Sequence, residues 1–162
     1  MKKQRKLDKK RRKQGKTNYT KRLLLLKGNF PRLVVRKSNK YITLQVIESS
    51  HAQDKVIASV NTKELLKQGW PEKKKGSLKS LAASYLGGLL LGKKIKELNP
   101  QIILDSGLIP NTTGSRVYSA VKGISDSGIK INFKDEIIPS EEKIKSDYEF
   151  FEEIKTKLTS NK

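Results

Sequence analysis

Sixteen of the twenty net positive charges of this 162-residue chain fall within its first forty residues, and a segment charged in that way cannot build a core by itself. Those forty residues hold 17 Lys and Arg against the single acid Asp8, whereas the other 122 carry 19 basic and 15 acidic side chains. Lys9, Lys10, Arg11, Arg12 and Lys13 follow one another directly. They repel each other in isolation, and phosphates would neutralise them and release condensed counterions. Asn18, Tyr19, Asn39 and Tyr41 are interleaved with the basic positions, groups able to bond to sugars or stack on bases. The pattern points to nucleic acid; the plainer alternative is a solvated tail or an address signal.

Folding capacity therefore lies beyond the arm. With 35% hydrophobic residues the chain suffices for one domain of ordinary size with tails left over. Cysteine is absent and His51 is the sole histidine, so neither disulfides nor a zinc site of His/Cys type is expected. The longest apolar stretches, Leu23 to Leu26 and Leu86 to Leu91, are far too short for a bilayer, and a soluble intracellular protein is expected.

Residues 1–16 read as an extension that stays disordered until bound. Asn18 is placed to cap a short helix from Tyr19 to Lys27, stopped by Gly28 and Pro31. Next, Arg32 to Lys37 and Lys40 to Ile47 are strand-like, with Ser38 and Asn39 as a tight turn. That turn pairs Arg36 with Tyr41, Val35 with Ile42 and Arg32 with Gln45. Leu33, Val35, Ile42, Leu44 and Val46 then share a core face, and Arg32, Val34, Arg36, Tyr41, Thr43 and Gln45 a polar face suited to RNA. A third strand is expected over Lys55 to Val60, and Asn61 with Glu64 signals a capped helix ending near Gly69 and Trp70.

Beyond a lysine-bearing loop, Pro71 to Gly76, Ser77 opens a long helix to Glu97 with Leu78, Leu81, Ala82, Tyr85 and Leu89 at helical spacing. Gly87, Gly88 and Gly92 each cost such a helix about 1 kcal/mol, which implies close approach to another backbone. A buried strand is expected at Gln101 to Leu104 and a helix over 114–127 with Val117, Ala120, Val121 and Ile124 inward. From Asp135 onward the character changes, to 8 acids against 5 lysines. There Ser146 and Glu149 form a capping box before Phe150, Phe151, Ile154 and Leu158, an amphipathic helix that either packs on the protein's own body or docks on a partner.

The expected fold is α/β, a mixed, mainly antiparallel sheet with helices packed on one face, plus a basic N-terminal arm. Its organisation is 1–28 basic extension with a short helix, 29–140 α/β RNA-binding domain, 141–162 amphipathic tail helix. Catalysis finds little support. A metal-dependent nuclease would need converging carboxylates, for which Asp105, Glu48 and Asp126 are the candidates, but Asp105-Ser106-Gly107 is more economically a turn. His51 sits in a polar loop with no nucleophile context, and no phosphate-binding glycine loop is present. No catalytic residue, metal or cofactor is assigned.

Three blocks carry a resemblance. They are Gly15 to Tyr19 continuing to Pro31 to Ile42 and Gln45; Ser84 to Lys94; and Leu104-Asp105 with Gly114 to Tyr118 and Lys122-Gly123. In order and spacing they resemble universal large-subunit ribosomal protein eighteen, in its archaeal and eukaryotic form, over roughly residues 10–140. The resemblance implies a structural constituent of the large ribosomal subunit in the cytoplasm. It would bind 5S rRNA in the central protuberance beside large-subunit rRNA and neighbouring proteins including protein five, with no membrane or small-molecule partner. The RNA-contacting residues are then expected to be Lys6, Lys9, Lys10, Arg11, Arg12, Lys13, Lys16, Asn18, Tyr19, Lys21 and Arg22 of the arm. From the hairpin come Arg32, Arg36, Lys37, Ser38, Asn39, Lys40, Tyr41, Thr43 and Gln45, and the third block adds Arg116. The competing class is a free assembly or chromatin factor that binds nucleic acid nonspecifically through the arm.

Overall fold

The computed structural model describes residues 7–50, 53–98, 100–145 and 148–160. Strand-forming residues in alternation build the sheet. β1 (Arg32–Lys37) and β2 (Ile42–Ser50) form an antiparallel hairpin, β3 (Gln53–Asn61) continues it, and β4 (Ile103–Asp105) adds parallel to β1, in the order β3-β2-β1-β4. The turn lies one residue later than the sequence suggests. Ser38 and Tyr41 close it, with Ser38 N donating to the Tyr41 carbonyl at 2.8 Å and Tyr41 N donating to Ser38 Oγ at 3.0 Å. Asn39 and Lys40 are left as the loop. The register therefore moves by two, pairing Val35 with Leu44 and Arg36 with Thr43. A Ser-Asn loop would have called for the positive-φ turn that Asn-Gly favours, and the hydroxyl of Ser38 stabilises the alternative. Because side chains alternate with period two, a shift of two leaves every residue on its expected face.

The apolar face, Leu33, Val35, Ile42, Leu44, Val46 and Val60, is buried against α3 (Leu81–Ile95). This helix is apolar around most of its circumference and is covered on all sides, by the sheet, by α4 (Arg116–Asp126), and by α5 (Glu141–Lys145) and α6 (Phe150–Ser160). Its glycines explain how neighbours come so near. A Cβ at Gly88 would overlap the Ala120 carbonyl of α4, and one at Gly123 would overlap the Tyr85 carbonyl of α3, so the two helices meet glycine against backbone in both directions. Ser80 caps α3 through Ala83 N at 3.2 Å; Ser77 instead gives its hydroxyl to the Lys74 carbonyl at 2.6 Å. The helix thus begins four residues later than expected, and the lysine-bearing stretch is a 3-10 helix, Glu72–Ser77, rather than an open loop. Asn61 and Glu64 do form their capping box, on a 3-10 helix, Thr62–Gln68.

Of the two readings of the C-terminal stripe, the protein's own body takes it. Phe151, Ile154 and Leu158 are buried in the common core, and the Phe150 ring meets Trp70 edge-on at 4.9 Å. The cap expected at Ser146 lies outside the described residues. At the other end, the arm holds α1 (Lys10–Lys13) and α2 (Tyr19–Lys27). Part of the extension expected to be disordered is thus a helical turn, fastened by Arg11 Nε donating to Thr17 Oγ1 at 2.9 Å. No helix among the described residues is long and apolar enough to cross a membrane.

The α3–α4 crossing predicts that Gly88→Ala destabilises the protein by about 1–3 kcal/mol, although the same change at an open helical position would gain about 1 kcal/mol. Urea denaturation checks this: the transition midpoint falls if the backbones touch, and a raised midpoint contradicts the crossing.

Candidate nucleic-acid interface

The face of the sheet turned away from α3 is crossed by an alternating row of charges. Arg22 of α2 bonds Asp54 at 3.0 Å, Asp54 bonds Arg32 at 2.9 Å, Arg32 bonds Asp105 at 3.2 Å, and Asp105 bonds Arg36 at 3.3 Å. Arg32 is the buried centre, its side chain only 4% exposed. Its second Nη donates to Ser49 Oγ at 2.8 Å, and that hydroxyl donates on to Asp54 at 2.6 Å. The Ser49 hydrogen bond, with the charges of Arg32 and Arg22, holds the Asp54 carboxyl below its ordinary range against the opposing effect of burial.

This row fastens α2 onto the sheet. The helix buries no side chain of its own, and Asn18 caps it by accepting from Lys21 N at 3.1 Å. Lys21 Nζ reaches Ser106 Oγ at 3.1 Å and the Gly107 carbonyl at 3.2 Å, tying the helix also to the turn after β4. Arginines outnumber aspartates in the row, and Lys21 adds to the excess. The polar face is therefore basic, but it is partly closed by the chain's own arm.

The expected site residues consequently divide. Lys9, Lys10, Arg11, Arg12, Lys13, Lys16 and Arg22 are exposed. The Asp8–Arg12 pair at 3.5 Å is too exposed to hold either group strongly. Lys9 lies over the half-buried Tyr19 ring at 4.5 Å. Lys6 falls outside the described residues, as does His51. Lys37, Ser38, Asn39 and Lys40 are exposed at the hairpin tip, although the Ser38 hydroxyl is engaged in the turn. Tyr41 is half-buried against the edge of the core, Thr43 accepts from Asn61 Nδ2 at 3.2 Å, and Gln45 is half-buried.

Arg32 departs from its expected place. Alternation in β1 puts it among the RNA-facing residues, but its position beneath α2 gives it carboxylates rather than phosphates to bind. The cause is a second layer on that face, which alternation within a strand does not disclose.

What gathers the remaining cations is the loop between β4 and α4. One groove of about 400 Å3 joins Lys16, Arg36 and Lys37 to Ser106, Gly107, Leu108 and Pro110. A second, of about 360 Å3, runs from Lys37 to Gly114, Ser115 and Arg116 at the start of α4. Arg116, distant in sequence, so borders the same strip as the hairpin. Lys74, by contrast, lies over the Tyr148 and Phe150 rings at 5.0 and 5.5 Å, beside the C-terminal helix. Sequence reasoning misses this loop as a site because its only signal, Asp105-Ser106-Gly107, reads as a turn, which it also is: Gly107 N donates to Asp105 Oδ1 at 2.8 Å.

The model of the family described as "Ribosomal large subunit proteins 60S L5, and 50S L18" matches residues 3–101. The chain is 45% identical over 139 residues to large ribosomal subunit protein uL18 of Korarchaeum cryptofilum, covering 85% of this chain and 69% of that protein. Against uL18 of Ignicoccus hospitalis it is 42% identical, over 88% of this chain and 69% of the relative; against that of Aeropyrum pernix, 39%, over 85% and 64%. The chain belongs to this family.

As a member of the uL18 family it is a structural, non-enzymatic component of the large ribosomal subunit, associated with the rRNA and proteins of the cytoplasmic ribosome. The carboxylates weighed for a nuclease have other occupations. Asp105 is held between two arginines, Asp126 accepts from Tyr85 Oη at 2.8 Å and pairs with Lys122 at 3.0 Å, and Glu48 is exposed along β2 opposite Lys55. No group of three potential metal ligands occurs among the described residues.

The tether of α2 has a pH signature. Asp54 titrates lower in the folded protein than when free, so its contribution is complete above its ordinary value of 3.8 and fades as pH falls through the lowered folded value. Amide exchange over Tyr19–Lys27 should stay protected from neutrality down to about that pH and lose protection below it. Asp54→Asn should lose the protection already at neutral pH, and unchanged protection in that variant would contradict the tether.

Proposed function

We propose that this chain binds 5S rRNA and attaches it in the central protuberance of the large subunit, next to large-subunit rRNA and to neighbouring proteins including protein five. The observation that carries the reading is the strip of exposed cations from the arm through Lys16, Arg36 and Lys37 to Arg116, on a member of the uL18 family. The two ends of the strip have different mechanics. The lysines and arginines of α1 are exposed charges on one short turn and suit any phosphate backbone. Lys37 and Arg116 are carried by a strand end and a helix start that the core holds in fixed relation, so they suit one RNA shape. Arg32 is not part of the contact set; it holds the surface from beneath.

Two variants separate these roles at one fixed salt concentration. Neutralising Arg11, Arg12 and Lys13 together should weaken 5S rRNA and an unrelated RNA of equal length by similar factors. It should also flatten the plot of log affinity against log salt by about 0.7–0.9 for each phosphate that the variant no longer neutralises. Changing Lys37 and Arg116 to Ala should weaken 5S rRNA much more than the control. Equal affinity of the unaltered protein for both RNAs would contradict the proposal and return the reading to a nonspecific factor.

A further inference from the structure

Arg36 is held in a way that a simple phosphate contact does not need. Its Nη1 donates to two carbonyls, Val35 and Asp105, both at 2.8 Å, and its Nη2 donates to Asp105 Oδ1 at 3.3 Å. Three of the five donors of the guanidinium are thus committed inward, which fixes its plane. Gly107 lies against that plane. A Cβ built at Gly107 would sit 3.0 Å from Cζ, 3.1 Å from Nη1 and 3.2 Å from Nη2. The central carbon being nearer than either nitrogen, the group is met from above rather than at its edge. One face of the guanidinium is covered by a residue without a side chain, yet the arginine side chain remains 47% exposed. None of these contacts falls on the other face.

The surroundings of that face are those of a base-binding ledge. Leu108, next in the chain, is 52% exposed, an apolar neighbour for a ring. Lys16 and Lys37 border the same groove of about 400 Å3, large enough for a nucleobase and placed to hold the flanking phosphates. Guanidinium planes stack on bases without using donors, whereas the edge that faces Asp105 is already spent.

We propose that Arg36, flattened onto Gly107 and held by Asp105, is a stacking platform for one unpaired nucleobase of the bound RNA, and that Asp105 is its positioning residue. This rests on the reading of the chain as a 5S rRNA binder. It adds that the hairpin recognises an extruded base by its flat face, in addition to phosphates by their charge.

The test compares Arg36→Lys with Arg36→Ala on 5S rRNA, with melting temperatures as a check of folding. A stacking platform cannot be replaced by an ammonium, so both variants should lose affinity by a similar factor, about five- to 150-fold, at an unchanged salt slope. Substituting 2-aminopurine at the unpaired positions of the RNA, one at a time, should reveal one position whose fluorescence changes on binding the unaltered protein and not on binding Arg36→Lys. Full affinity of Arg36→Lys, or a salt slope reduced in Arg36→Ala, would make Arg36 a phosphate contact and overturn the proposal. Should the unaltered protein fail to prefer 5S rRNA over the control RNA, the underlying reading fails instead, and the two failures are told apart by that first measurement.

Discussion

A buried ion pair, Arg32 with Asp105, joins residues 73 positions apart on the neighbouring strands β1 and β4 and determines what that side of the molecule presents. Burying two charges costs several kcal/mol per ion before attraction is counted, so the pair is a weak contributor to net stability. Its effect is on arrangement. Asp105 ends β4, whose parallel pairing with β1 spans only Arg32 to Val34, and the carboxylate simultaneously closes the turn at Gly107 and orients Arg36. Arg32 passes the connection on to Asp54, and Asp54 passes it to Arg22 of the arm. Removing Asp105 would leave Arg32 with Asp54 and Ser49 alone, and removing Arg32 would leave Asp105 with Arg36 and the Gly107 amide, so either change cuts the row in two.

The apolar half of the molecule solves a separate problem, the placement of α4 and its leading loop. α3 is surrounded on all sides, and its contact with α4 is set by glycines that allow backbone to approach backbone. That rigid crossing keeps Arg116 within the strip shared with Lys37. The C-terminal helix closes the far side through Phe151, Ile154 and Leu158, and its acidic groups lie beside that closure. Basic and acidic segments thus serve different sides of one core.

Much of this is legible in the sequence, for reasons that can be stated. The division of the hairpin into an apolar and a polar face depends on period two and survives a slip of the turn. Gly88 announces the close backbone that its cost to the helix implies, whereas Gly87 and Gly92 make room for side chains instead, those of Thr62 and Leu44 and that of Ser127. Asn18 and the Asn61–Glu64 pair act as the caps their spacing implies. The turn position itself is not legible, since it depends on a single hydroxyl, that of Ser38. Nor is the burial of Arg32: a strand's alternation says which residues share a face but not whether a second layer covers it. The groove along Ser106 to Pro110 escapes for a related reason, because what makes it a site is the arrival of Lys16, Arg36 and Lys37 from elsewhere in the chain.

Arginine-specific modification by phenylglyoxal, read residue by residue by mass spectrometry with and without 5S rRNA, tests the central claim most directly. The claim is that the arm, pinned by buried Arg32, occupies the sheet and leaves the RNA to the exposed rim. Arg32 should then be inert in both states, whereas Arg11, Arg12 and Arg116 should react in the free protein and become protected on the RNA. An Arg32 that reacts in the free protein and is shielded only when RNA binds would contradict the account, because the sheet face itself would then be open and would be the surface the RNA covers.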